Sequence, residues 1–381
     1  MRGYQAGLLL VGLWLAACGS VKREDFDAEL ATAVCEKYVR CGLSYDADSC
    51  EQGLAVGFLA QHGLNAQYSV AINAGQMHYD ADAAEKCLEK IRSGPCDVDP
   101  LSSRMLLEGV GMSADCRFLF GEVADGEACR WSGECGAPSV CSSTAPWYCG
   151  TCQPKRAEGA QSPSSLLCME GLVSFQSTCQ QPLKEGQSCD QPGIDYSEAC
   201  EPDLICDSDS LVCRRLASKG EACDLQSHRC AWNLACIDGT CHALNGKGES
   251  CTAQAANVLD LSGCQRELFC DADPGAPGRC RPRLVDEGSS CRDYRECGRG
   301  LYCEGSDTGS GQRGTCRRLA REGESCDGRV CNFRFYCSES SRTCMPRRQF
   351  GESCADEASS CALGLSCNGR TCGGLDYNCH P

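Results

Sequence analysis

Residues 220–241 read GEACDLQSHRCAWNLACIDGTC. The fold turns on the spacing of the four cysteines in this stretch. Cys230 and Cys236, the second and third of the four, enclose five residues, and this second-to-third C-x5-C step keeps that length in all seven four-cysteine units. The pairs are Cys135/Cys141, Cys200/Cys206, Cys230/Cys236, Cys264/Cys270, Cys297/Cys303, Cys331/Cys337 and Cys361/Cys367. A constant interval between cysteines specifies a constant local backbone path, while loops that vary in length are tips. Residues 123–381 therefore read as about eight small four-cysteine repeats of short β-hairpins and loops, not as one large hydrophobic core.

Working outward, each step lies between two further cysteines. The units are Cys129 to Cys152, Cys189 to Cys213, Cys223 to Cys241, Cys251 to Cys280, Cys291 to Cys316, Cys326 to Cys344 and Cys354 to Cys372. A bulky apolar residue stands two before the third cysteine: Leu204, Leu234, Leu268, Leu301, Phe335 and Leu365. The first unit departs, with Ser139 there and Val140 beside it. One such side chain packed on its own sulfurs is a minimal core. Gly220, Gly248, Gly323 and Gly351, each followed by Glu, precede a first cysteine by three and suit a turn with positive φ.

The G-E-[AS]-C opening and the C-x3-L-x-C step, over about residues 126–372, resemble the Dickkopf N-terminal cysteine-rich region and EB-type modules. That resemblance implies a cystine framework and transfers no activity, because function resides in sites rather than in folds.

Only Cys168 and Cys179 stand between Cys152 and Cys189, so residues 153–182 form a degenerate unit. Loss of two cysteines together with the first loop favours first-to-second and third-to-fourth pairing. A crossed pattern strands the two survivors unless Cys168 and Cys179 bridge each other. Cys149 and Cys379 fall outside the scheme; they bond to each other if the array folds back, exchange with neighbours, or bridge two molecules.

The N-terminus carries Arg2, an apolar run over residues 8–17, and Leu15-Ala16-Ala17-Cys18. The run is too short to span a bilayer. It resembles a bacterial lipobox, which implies a signal peptide (1–17), cleavage before Cys18, and thioether lipidation and N-acylation (palmitate) at Cys18, with 18–22 as tether. Gly19, rather than Asp, implies outer-membrane sorting. The membrane is then a partner through lipid, at about 0.8 kcal/mol per buried methylene. The complete chain resembles a group of bacterial cysteine-rich lipoproteins. Removing Cys18 from the 39 cysteines of the 381-residue chain leaves an even number. An even count in an exported chain indicates disulfides.

Residues 23–122 read instead as an α-helical domain with six cysteines. Phe26, Leu30, Val34 and Tyr38 form one helical stripe, and Gly42 stops it. Further helices are expected over 49–60 and 82–92, the latter closed by Ser93-Gly94-Pro95, and from 101 to 107. Cys35, Cys41, Cys50, Cys87, Cys96 and Cys116 allow fifteen pairings.

The net charge of −16 is spread over both parts, which argues against a nucleic-acid partner. Residues 281–348 hold 14 Arg and no Lys. They are read as solvated surface between modules, with acidic polysaccharide or lipopolysaccharide as the alternative contact. Cys149-Gly150-Thr151-Cys152 superficially matches a redox CxxC but lacks the βαβ setting that lowers a thiol pKa, so it is read as structural. His62, His78, His228, His242 and His380 are not at ligand spacing, and Asp207, Asp209, Asp271 and Asp273 lack a calcium-loop pattern.

No catalytic residue, cofactor or metal is therefore expected. The chain reads as a non-enzymatic, outer-membrane lipoprotein (periplasmic or surface face) whose repeats serve binding, adhesion or spacing, with a protein or glycan ligand. One alternative is a protease inhibitor acting through Arg299-Gly300 or Arg342-Thr343. A weaker one is a thiol oxidoreductase acting through Cys149 and Cys152.

Overall fold

The structure, a computed structural model, describes residues 20–374 apart from 45, 97–110, 114–115, 143–148, 191–198, 202–203, 208–209, 224–229, 232–233, 238, 253–262, 266, 273–275, 293–295 and 307–310. It combines N-terminal helices with many short antiparallel strand pairs.

Helix α1 (Phe26–Cys41) buries the expected stripe and ends at Gly42, whose φ is +80°. The amide of Leu43 donates back to the Tyr38 carbonyl, a left-handed C-terminal cap. Helix α2 (Ala47–Leu54) starts two residues before the expected 49, because the Asp46 side chain accepts from the Ser49 amide at 3.1 Å. It continues through a π-turn (Ala55–Leu59) and a last turn (Ala60–His62). Helix α3 (Leu64–Asn73) was not expected. Helix α4 (Ala81–Ser93) matches its expected span, with Asp80 capping the amides of Asp82 and Ala83. Strand β1 (Met77–Tyr79) pairs antiparallel with β2 (Leu119–Gly121). The helix expected over 101–107 lies outside the described residues. Of the fifteen pairings, the head adopts Cys35–Cys50, Cys41–Cys96 and Cys87–Cys116. Phe26 and Phe118 meet at the centre of its core, with ring centroids 4.5 Å apart.

Distally, one local arrangement recurs. A lead-in residue (Val123, Arg156, Leu183, Ala217, Asn245, Leu284, Ala320, Arg348) forms a parallel bridge with the second cysteine of its unit. A hairpin then sets the third and fourth cysteines directly opposite each other, as in Cys236↔Cys241 and Cys303↔Cys316. The expected apolar residue packs on its own sulfurs, as Leu204 and Leu268 do.

Pairing within the units is crossed, not sequential as expected. The cystines are Cys129–Cys141 with Cys135–Cys152, Cys189–Cys206 with Cys200–Cys213, Cys223–Cys236 with Cys230–Cys241, Cys251–Cys270 with Cys264–Cys280, Cys291–Cys303 with Cys297–Cys316, Cys326–Cys337 with Cys331–Cys344, and Cys354–Cys367 with Cys361–Cys372. The physical reason lies in the hairpin. It already holds the third and fourth cysteines together by backbone bonds, so a bridge between them ties nothing new. Crossed bridges bind the hairpin to the two segments before it.

The degenerate unit obeys the same rule. Cys168 bridges to the lead-in Arg156, which makes it a second cysteine, and Cys179 lies opposite Ser174. Ser162 and Ser174 therefore occupy the first and third positions, and Cys168–Cys179 is the surviving second-to-fourth cystine. Both serines are buried, and the Ser174 hydroxyl donates to the Ser162 carbonyl at 2.6 Å. What was lost is one crossed bridge, not the bounds of a loop. Ser162→Cys with Ser174→Cys is expected to form that bridge spontaneously. Thiol titration should then find no new thiol, and thermal unfolding should show a gain of about 3 kcal/mol. Two titratable thiols would contradict the assignment.

The Gly-Glu junction carries more than a permissive glycine. Gly220, Gly248, Gly323 and Gly351 have φ between +73° and +88°. The glutamates fold back to accept from the amide three residues earlier: Glu221 from Ser218 at 2.7 Å, Glu249 from Gly246 at 2.6 Å, Glu324 from Arg321 at 2.9 Å and Glu352 from Gln349 at 2.6 Å. Each carboxylate locks its turn, and the Arg321 amide holds the Glu324 carboxyl below its ordinary range.

Candidate functional site: the seam between head and repeats

Repeats that touch mainly their neighbours are the expectation for a linear array. Here the last three return to the head. Phe333, at the tip of the turn inside the constant C-x5-C step of the Cys326 unit, is 1% exposed and joins the helical core. Its amide donates to Gln52 Oε1 at 2.8 Å. The neighbouring Arg334 guanidinium reaches Glu29 Oε1 at 3.3 Å and Thr32 Oγ1 at 3.0 Å. Arg347 holds the tip from behind, donating to the carbonyls of Phe333 at 2.7 Å and Cys361 at 2.9 Å. Burial lowers the Arg347 pKa.

Two further tips dock beside it. The Ser49 hydroxyl donates to the Leu301 carbonyl at 3.3 Å. Leu363 packs on the head core, and a Cβ on the adjacent Gly364 would lie 2.6 Å from the Ala66 nitrogen. Only glycine fits that approach. At the opposite end of the array, Trp131 of the first unit meets Tyr68 on α3 edge to face, with ring centroids 5.8 Å apart. Both ends of the array therefore rest on the same helices.

Asp27 positions α3 beneath this seam. Its carboxylate is buried and accepts from the amides of Leu64 at 2.7 Å and Asn65 at 2.9 Å. It thus caps α3 from a distant helix. Burial pushes its pKa up to about 6 against the pull of those amides. A carboxyl raised on folding stabilises fully below its unfolded pKa and loses that contribution as pH rises through the folded one. The head should therefore lose about 3 kcal/mol between pH 4 and pH 7. Urea unfolding across that range checks this, and Asp27→Asn should flatten the dependence, leaving the share of Glu51, which burial also raises. Equal pH slopes in the two proteins would contradict it.

Several of the arginines read as solvated surface pair with carboxylates while staying exposed, Arg281 at 64% and Arg342 at 63%. Arg281 and Arg292 share Asp271, and Arg292 also meets Glu296. Arg317 pairs with Glu304, Arg318 with Glu324, Arg329 with Glu287, Arg342 with Asp327 and Arg348 with Asp356. The Arg329–Glu287 and Arg292–Asp271 pairs link successive units, which consumes charge that a polyanion would otherwise meet.

Cys18, Cys379, His228, His380, Asp209 and Asp273 lie outside the described residues. His62 stacks on Phe58 with centroids 5.0 Å apart, and His78 is on β1. Asp207 accepts from the Ser210 amide at 2.8 Å. Sulfur trios such as Cys129, Cys135 and Cys152 lie within 4.8 Å of one another, but each belongs to cystines and offers no thiolate. Cys149 and Cys152 are not bonded to each other; Cys152 is bonded to Cys135. Gly300 approaches Asp48 on α2, and Arg342 has φ +53°. Neither suggested inhibitory bond is thus an extended free strand. A cleft of about 110 Å3 between β2 and the first two units is lined by Leu119, Phe120, Val140, Leu166, Arg117 and Lys155.

The docked tips were missed in the sequence, although a signal existed. Phe333 and Leu363 stand two residues after a second cysteine, where other units carry Ala137, Glu170, Pro202, Trp232, Arg266 or Arg299, so the apolar character marks candidates for docking, with Trp232 among them. Comparison with known protein families, with curated proteins and with solved structures finds no match.

Proposed function

We propose that the chain is a lipid-anchored, non-enzymatic protein of the bacterial outer membrane that presents disulfide-framed loops to a protein or glycan. The observation that carries this reading is the contrast between a crossed-cystine frame that recurs in seven units and loops of freely varying length. A rigid frame lowers the entropy cost of binding through the loops it holds. Docking on the head adds to that rigidity. The lipobox-like Leu15-Ala16-Ala17-Cys18 supports the anchor. Among the described residues no helix is long and apolar enough to cross a membrane.

Cys18→Ser is expected to move the protein from the membrane fraction to the soluble fraction and to abolish palmitate labelling. Retention in membranes with unchanged labelling would contradict the anchor. The released protein, used as bait on intact cells, should capture a protein or glycan only while its cystines are intact. Equal capture after full reduction would contradict presentation by the frame.

A further inference from the structure

We propose that Asn368 is a self-modifying site, where the Gly369 backbone nitrogen closes on the Asn368 side-chain amide and water opens the resulting succinimide to aspartate and isoaspartate. The chain has two Asn-Gly steps, Asn245-Gly246 and Asn368-Gly369. In both, the residue that supplies the attacking nitrogen has no Cβ to hinder it. Their surroundings differ at each atom the reaction uses.

At Asn368 the site is open. Asn368, Gly369 and Arg370 are exposed in the loop between the paired strands Ser366–Cys367 and Cys372–Gly373. Among the described residues the Gly369 amide has no hydrogen-bond partner, and nothing lies within 4 Å of a Cβ placed there. Asn368 Oδ1, by contrast, accepts from the Thr371 amide at 3.0 Å, Thr371 Oγ1 at 3.3 Å and the Arg370 amide at 3.4 Å. Attack at Cγ puts negative charge on that oxygen, and donors already aimed at it favour the tetrahedral intermediate. The nucleophile is unengaged and the electrophile is polarised.

At Asn245 the arrangement is reversed. The Gly246 N–H donates to Glu249 Oε2 at 2.6 Å, and an anion beside the nitrogen opposes loss of its proton. Asn245 Nδ2, the group that must leave, donates to the Ser250 carbonyl at 2.6 Å. The main chain is held as well: the Asn245 amide donates to the Gly263 carbonyl at 2.7 Å, and its carbonyl accepts from the Gln265 amide at 2.9 Å. The glutamate that locks the Gly-Glu turn thus also protects the asparagine before it.

The steps balance with water as the co-reactant. Hydroxide takes the Gly369 N–H proton, the nitrogen bonds to Cγ, and the Cγ–Nδ2 bond breaks as ammonia leaves with a proton from water. Water then adds to a ring carbonyl and breaks its bond to the ring nitrogen. Opening at Cγ gives aspartate; opening at the main-chain carbonyl carbon gives isoaspartate. Either product sets a carboxylate two residues before Arg370. Isoaspartate also routes the main chain through Cβ, which displaces the Asn368 amide from the Thr371 carbonyl it meets at 3.1 Å. The loop therefore changes in charge and shape as the molecule ages, while Cys354–Cys367 and Cys361–Cys372 hold the frame.

The test is incubation of the full-length oxidised protein in mildly alkaline water enriched in heavy oxygen. Reduction, alkylation and trypsin digestion in ordinary water follow, placing Asn368 on peptide 349–370 and Asn245 on 230–247. We expect 349–370 to take up label about tenfold faster than 230–247, as a mixture of aspartate and isoaspartate forms. In protein reduced and unfolded in urea the two rates should be comparable. Glu249→Gln keeps an acceptor for the Gly246 amide but removes the charge, and it should speed labelling at Asn245. Equal rates in the folded protein, or the same preference for Asn368 after unfolding, overturns the proposal. Label at Asn368 as aspartate alone overturns the succinimide route.

Discussion

Phe333→Ala is expected to release the C-terminal repeats from the head while leaving every cystine intact. The side chain is almost fully buried in the helical core, and truncating such a phenylalanine costs about 3–5 kcal/mol. The loss should fall on docking, since the Cys326 unit keeps its own bridges Cys326–Cys337 and Cys331–Cys344. Hydrogen exchange should accelerate at the Phe333 amide, which is bonded to Gln52, and in α1 and α2, with the hairpin Phe335–Cys337 to Cys344–Pro346 little changed. Arg334→Ala is the control. Its ion pair with Glu29 is partly exposed (37% and 32%), and such pairs contribute about 1 kcal/mol or less. Equal effects from the two substitutions would show that the tip is held by charge rather than by burial.

Cys297→Ser combined with Cys316→Ser is expected to cost about 3 kcal/mol, confined to one unit. The bridge spans a separation of 19 residues. Apart from Cys291–Cys303 and surface ion pairs, the unit has a thin apolar core: Leu284 and Leu301 pack on its sulfurs beside the hairpin of Leu301–Glu304 with Gly314–Arg318. Protease cutting near Arg299 and Arg313 should accelerate, with the other units unchanged. Full reduction extends the same reasoning to the whole chain. The head has a core of Phe26, Leu30, Val34, Leu59, Leu64 and Phe118 and should retain helical circular dichroism, whereas the hairpins should lose their order. Small modules lack the apolar area to fold without cross-links.

The features legible in the sequence are those governed locally. The Phe26 stripe and Gly42 bounded α1, because amphipathic period and a left-handed stop act within a few residues. The C-x5-C step predicted recurring hairpins, because the chain between the cysteines is too short to take many paths. What depended on distant partners was not legible. Helix α3 is capped by Asp27 from α1, and Gly63 before it leaves room for that carboxylate, which a Cβ would approach to 2.8 Å. Neither signal is local. The crossed pairing was misread because Cys168 and Cys179 were taken for the end of a unit. Ser162 and Ser174, the residues at the vacant positions, carried the correct register. Docking of Phe333 and Leu363 depends on a surface more than 250 residues away in the chain, as the 281-residue separation of Phe333 and Gln52 shows.

The crossed frame is tested most directly in the Cys291 unit, where trypsin alone separates all four cysteines. They fall on peptides 284–292, 296–299, 300–313 and 314–317. Non-reducing mass spectrometry should find 284–292 joined to 300–313 and 296–299 joined to 314–317, as Cys291–Cys303 and Cys297–Cys316 require. A species joining 284–292 to 296–299 would contradict the account.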